Sequence, residues 1–98
     1  MNERGFGILN SREIRERISQ LDNWELEYNK RISKSYEFKN FKEALAFTNK
    51  VGDLAEEANH HPDIQLSYGR VIVQLETHEG ARLTDKDFNL AQLVNEIK

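Results

Sequence analysis

Between residues 10 and 21 the apolar positions are Ile14, Ile18 and Leu21, spaced as one stripe of a helix with polar residues between them. Asn10 or Ser11 is the expected N-cap, with Glu13 in the first turn. From Trp24 the period drops to two: Trp24, Leu26 and Tyr28 alternate with Glu25 and Glu27. After a turn around Asn29 and Lys30, the positions Ile32, Tyr36 and Phe38 share one parity, so residues 24–38 read as a β-hairpin. Asn40 followed by Glu43 has the form of a capping box. The stripe behind it, Phe41, Ala44, Leu45, Val51, Leu54, Ala55 and Ala58, predicts the longest helix, broad enough to cover a sheet and a partner subunit as well. Pro62 is expected to end it, because proline lacks the N–H and pushes the preceding residue out of the α region.

Beyond the proline, Ile64, Leu66 and Tyr68 alternate, Gly69 permits a turn, and Val71, Val73 and Leu75 alternate again. Trp24 and Tyr68 read most simply as core residues at strand parity. Thr84 and Asp87 resemble a second capping box, opening a helix that carries Phe88, Leu90, Ala91, Val94 and Ile97. The order α-β-β-α-β-β-α predicts an α+β, two-layer fold: a four-stranded antiparallel sheet with three helices on one face.

Composition narrows the classes. At 98 residues the chain supports one core, so residues 1–98 are read as one domain. Charged residues of both signs make up 32%, the net charge is -3, and no basic run occurs, which argues against direct nucleic-acid binding. There is no cysteine, hence no disulfide framework and no thiolate metal site. No apolar run is long enough for a signal sequence or a membrane span, so a cytoplasmic protein is expected. So thin a core also favours oligomerisation.

The candidate chemistry sits in "EEANHHPDIQ", residues 56–65, where two of the three histidines adjoin the single proline. Glu56 and His60 are four apart and can share a helix face. Histidine exchanges protons near neutral pH, as general acid and base chemistry needs. Other readings stand beside this one. The pair can simply cap helix carbonyls. Glu56, His60, His61 and His78 hold enough nitrogen and oxygen for zinc, although without a familiar ligand spacing. His78, in "LETHEG", can be a solvated turn residue. No serine lies in a strained, glycine-flanked turn of the kind that makes a nucleophile.

As a set, the residues of "EEANHHPDIQLSYGRVIVQLETHEGARLTDKD" resemble the pterin-4a-carbinolamine dehydratase family (4a-hydroxytetrahydrobiopterin dehydratase). The resemblance rests on Glu56, His60, His61, Pro62, Asp63, Tyr68, Thr77, His78 and Asp87; the hairpin at Trp24 and "YEFKNFKEALAF" extend it. It implies helices on one side of a four-stranded antiparallel sheet. It also implies homodimers joined through their sheets and often paired into homotetramers through the long helix. The implied activity is that of a hydro-lyase: dehydration of a 4a-hydroxytetrahydropterin to the quinonoid dihydropterin in tetrahydrobiopterin recycling, with no metal or cofactor and with the pterin as substrate. His60, His61 and His78 are then the catalytic set. His60 and His78 are expected near the departing hydroxyl, and His61 to bind the pterin or take its proton. Glu56, Asn59, Pro62, Asp63 and Thr77 would bind or orient, while Tyr68 and Asp87 support the motif.

Two positions depart from the pattern. Asn59 stands where many members carry aspartate, and Ile64 where animal members carry tryptophan. Two alternative functions follow from the same resemblance: a protein-interaction module, since animal members also resemble dimerisation cofactors of a homeodomain transcription factor, and a site for another pterin, such as one linked to molybdenum cofactor.

Overall fold

The computed structural model describes residues 8–77 and 82–98. The elements run α1 (Ser11–Ser19), β1 (Glu25–Glu27), β2 (Arg31–Glu37), α2 (Phe41–Ala58), β3 (Asp63–Ser67), β4 (Arg70–Leu75) and α3 (Asp85–Asn95). All strands pair antiparallel in the spatial order β1-β2-β4-β3. This is the expected two-layer α+β architecture.

Register explains how one face becomes the core. Directly opposed residues of antiparallel strands share a face, and the rungs Leu26, Ile32, Leu75, then Lys34, Val73, Ile64, then Tyr36, Val71, Leu66 all lie on the helix side. Ile32, Val71, Val73 and Leu75 are fully buried there. They meet Ala44, Phe47, Val51 of α2 and Phe88, Leu90, Ala91, Val94 of α3. The opposite face carries Glu25, Glu27, Ser33, Ser35 and Gln74 around an open polar groove.

The caps fix where the helices begin. Asn10 caps α1 and forms a reciprocal box with Glu13, and Thr84 does the same for α3 with Asp87. Asn40 accepts the Glu43 N–H at 2.9 Å, but the Glu43 carboxylate turns to Lys39 Nζ, 3.6 Å away, so α2 starts on half of the expected box. Among the described residues no helix is long and apolar enough to cross a membrane.

Three further expectations about the fold need correction. Tyr28 does not continue the β1 alternation: it and Asn29 adopt positive φ in the hairpin turn, leaving Tyr28 80% exposed. Tyr68 likewise lies in the β3–β4 turn, 70% exposed, rather than in the core. The strand parity runs on past the point where the chain reverses, and Gly69 sets that point: a Cβ there would stand 2.8 Å from the Phe38 carbonyl oxygen.

The third correction concerns the end of α2. The helix stops at Ala58, before Pro62 can act, because Asn59 takes the left-handed conformation with φ 52° and ψ 42°. The Asn59 N–H then bonds the Glu56 carbonyl at 3.2 Å and the His60 N–H the Ala55 carbonyl at 3.1 Å, the Schellman closure that satisfies the last carbonyls. Asparagine tolerates this conformation better than other non-glycine residues.

Candidate functional site

The left-handed residue decides where the two histidines go. His60 and His61 follow Asn59 outside the helix, so helical spacing no longer governs them. His60 does not share a face with Glu56, as expected from sequence. Its Nε2 lies 2.6 Å from Oδ1 of Asp87, which is 27 residues away on the first turn of α3. Glu56 engages His61 instead, Oε2 to Nε2 at 2.6 Å.

The two pairs occupy contrasting surroundings. The side chains of His60 and Asp87 are 10% and 0% exposed, those of His61 and Glu56 57% and 78%. A buried carboxylate is costly unless fully hydrogen-bonded, and Asp87 is. Its Oδ2 accepts the Thr84 backbone N–H at 2.9 Å and the Thr77 hydroxyl at 2.8 Å, while Oδ1 faces His60. The carboxylate also lies at a helix N-terminus, where the macrodipole favours negative charge. Thr77 is held in place by a two-way backbone bridge to Arg82. Four segments thus converge: the end of α2, the strand end at Thr77, the cap at Thr84 and the first turn of α3.

Of the residues singled out in the sequence, His60, Thr77 and Asp87 come together in one network, and His61 and Glu56 form a second pair beside it. Pro62 is half-buried, and Asp63 opens β3 exposed, paired in register with Gln74. Asn59 acts through its backbone as the helix terminator. Tyr68 lies at the far end of β3 from the histidines. His78 lies outside the described residues. Among the described residues no three His, Asp or Glu side chains cluster as a metal-ligand set.

Sequence reasoning missed Thr84 as a site residue, reading it only as a cap, and placed Asp87 in a supporting role. The signal was present: a capping box puts its N3 carboxylate at the cap backbone, and a cap oxygen beside Thr77 brings that carboxylate to the strand end.

Comparison with known proteins places the chain in a family. The profile of the family "Pterin 4 alpha carbinolamine dehydratase" matches residues 8–97. The protein belongs to that family. A protein of Sulfolobus acidocaldarius is 40% identical over 90 residues, covering 92% of this chain and 98% of its own, and bears the name "Putative pterin-4-alpha-carbinolamine dehydratase". One of Chloroflexus aggregans with the same name is 45% identical over 89 residues, 91% of this chain and 95% of its own. Among solved structures, a transcriptional coactivator/pterin dehydratase from Brucella melitensis superposes with a TM-score of 0.85 at 32% identity, covering 91% of this chain and 96% of that one. A pterin dehydratase-like protein described as a RuBisCO assembly factor of the alpha-carboxysome superposes at 0.64 with 20% identity, over 74% of this chain and 86% of that one, a likeness of fold alone.

Proposed function

We propose that the protein dehydrates a 4a-hydroxytetrahydropterin to the quinonoid dihydropterin by histidine acid and base catalysis, without a metal or cofactor. The observation that carries this reading is His60, backed by the buried Asp87 and adjacent to His61, in a chain of this family. The reaction breaks the C4a–O bond as the hydroxyl gains a proton and leaves as water. A ring nitrogen loses its proton, and the carbon–nitrogen double bond forms between them. Protons given and taken balance, so imidazoles suffice. Each such transfer is worth about 10²-fold or more when a side chain performs it in place.

His60, His61 and His78 are the groups proposed to give and take these protons, with Glu56 steadying His61. The test is stopped-flow decay of a 4a-hydroxytetrahydropterin with the wild-type protein and with His60→Ala, His61→Ala and His78→Ala. Acceleration by the wild type that falls in all three, with circular dichroism unchanged, supports the reading. A decay no faster than the spontaneous one overturns it for that substrate, and the same assay with other pterins decides the substrate class.

A homo-oligomer is proposed alongside. Phe41 and Leu45, four residues apart on α2, are 43% and 40% exposed and form an apolar strip that a second copy would cover; Leu93 on α3 is 43% exposed as well. Sedimentation of the wild type against Leu45→Glu tests it: a single monomeric species for both removes the proposal. The same strip is the surface that an interaction-module reading would use, and such a module would keep its partner in the histidine variants.

A further inference from the structure

The hydrogen-bond directions around Asp87 can be followed proton by proton. Thr77 has one hydroxyl proton and gives it to Asp87 Oδ2. Its 2.8 Å contact with Thr84 Oγ1 must therefore be made by the Thr84 proton. Thr84 Oγ1 in turn accepts the Lys86 N–H at 3.3 Å, while the Thr84 N–H goes to Asp87. Every proton in the chain of contacts points toward the carboxylate. A carboxylate only accepts, so at Oδ1 the proton must come from His60 Nε2.

A neutral imidazole that holds its proton on Nε2 is bare on Nδ1. Among the described residues the His60 Nε2 contact is the ring's one side-chain bond, and no buried side-chain nitrogen or oxygen lacks a partner, so Nδ1 is unpaired without being sealed in the interior. We infer that Thr84, Thr77 and Asp87 form a tautomer lock: they keep Nε2 of His60 protonated and present Nδ1 as the nitrogen that exchanges a proton with the ligand. Thr84, read so far only as a helix cap, is thereby a positioning residue for His60. In the neutral ring Nδ1 accepts; in the imidazolium it donates; in both, Nε2 stays on Asp87. The inference deepens the dehydratase reading and rests on it for the identity of the ligand, though not for the lock itself.

Asp87→Asn separates geometry from proton placement. The Thr84 N–H and the Thr77 hydroxyl still require an acceptor, so the amide oxygen takes the Oδ2 position and the amide NH₂ turns to His60. Nε2 must then accept, and the proton moves to Nδ1. Long-range ¹H–¹⁵N spectra of the histidine-labelled protein, with His60 assigned from the His60→Gln spectrum, read the tautomer directly. The expected result is a pyrrole-type Nε2 and pyridine-type Nδ1 in the wild type and the reverse in Asp87→Asn, with dehydration slowed about 10²-fold. Thr84→Val is expected to weaken the Nε2 preference and Thr84→Ser to restore it, and this pair stands in should Asp87→Asn fail to fold. A wild-type ring protonated on Nδ1 overturns the lock. A reversed tautomer with an unchanged rate overturns Nδ1 as the reacting nitrogen. The expected tautomers in a wild-type protein that does not accelerate the pterin's decay uphold the lock and overturn the dehydratase reading.

Discussion

The two ends of α3 carry the same device for different ends. At its start, Asp87 gathers Thr77, Thr84 and His60. At its finish, Oδ1 of Asn95 gathers Trp24 Nε1 at 3.0 Å, Lys34 Nζ at 2.9 Å and the Tyr36 hydroxyl at 2.6 Å. Each is one side chain drawing donors from distant elements, yet only the first ends on an imidazole, which carries a second ring nitrogen. At Asn95 the three donors end on one oxygen, and the amide cannot exchange a proton. Lys34, on the buried side of β2, spans Tyr36 and reaches the Asp22 carbonyl as well, which lets its stem lie on the core. The density of a polar network therefore says little about function. A free valence on a titratable ring says much more.

That contrast can be attacked from both sides. The largest effect is expected from Asp87→Asn, about 10²-fold on the dehydration rate with a stability loss of only about 1 kcal/mol, since shape and most bonds persist. Stopped-flow and urea unfolding on one preparation measure both. Asn95→Leu is expected to do the opposite: about 2 to 3 kcal/mol of stability lost in urea unfolding, because Trp24 and Tyr36 lose their acceptor and Lys34 one of its two, with the rate of the folded protein unchanged. Equal effects on rate from both variants would erase the distinction between the two hubs.

The Asn95 hub also makes a prediction about pH. Burial pushes the Tyr36 hydroxyl well above its ordinary value, with the Trp24 N–H offsetting this in part, and burial lowers the Lys34 ammonium, with Asp22 opposing. Above about pH 10 the unfolded chain loses the Tyr36 proton while the folded chain keeps it, so stability falls with rising pH. Lys34 acts oppositely and lower: between its depressed value and the ordinary lysine value the unfolded chain binds the extra proton, so stability rises with pH there. Chemical unfolding at a series of alkaline pH values should show a decline above pH 10 that Tyr36→Phe flattens. An identical decline in the variant would assign it to other groups. The smallest effect is expected at the exposed pair: Glu56→Gln should cost at most about 1 kcal/mol in stability. Its rate change should be only a few-fold, read in the same stopped-flow assay.

The fold was legible because each element carried a local signature: the capping residues Asn10 and Thr84, and the alternation of Ile64 and Leu66 with Val71 to Leu75. Periodicity failed where a turn interrupted it, at Tyr28 and Tyr68, since a two-residue period carries no mark of where the chain reverses. Phe47, buried against Tyr36 and Phe38 at centroid distances of 4.6 and 5.1 Å, belongs to the α2 stripe but was not counted in it. At the site, residue types were legible and partners were not. The pairing of Glu56 with His60 assumed that the helix continues, and a single positive φ at Asn59 undid it. The bond from His60 to Asp87 is long-range, and only the packing of α2 beside α3 brings it about.

The left-handed turn at Asn59 has a bearing on transplantation. Two imidazoles one peptide apart serve carboxylates on two different elements, so neither can stand in for the other. Inserting one residue between Ala58 and His60 would move both rings off their present acids, even with every side chain retained. A designer grafting this pair onto another scaffold must copy the phase of the helix end along with the letters His-His.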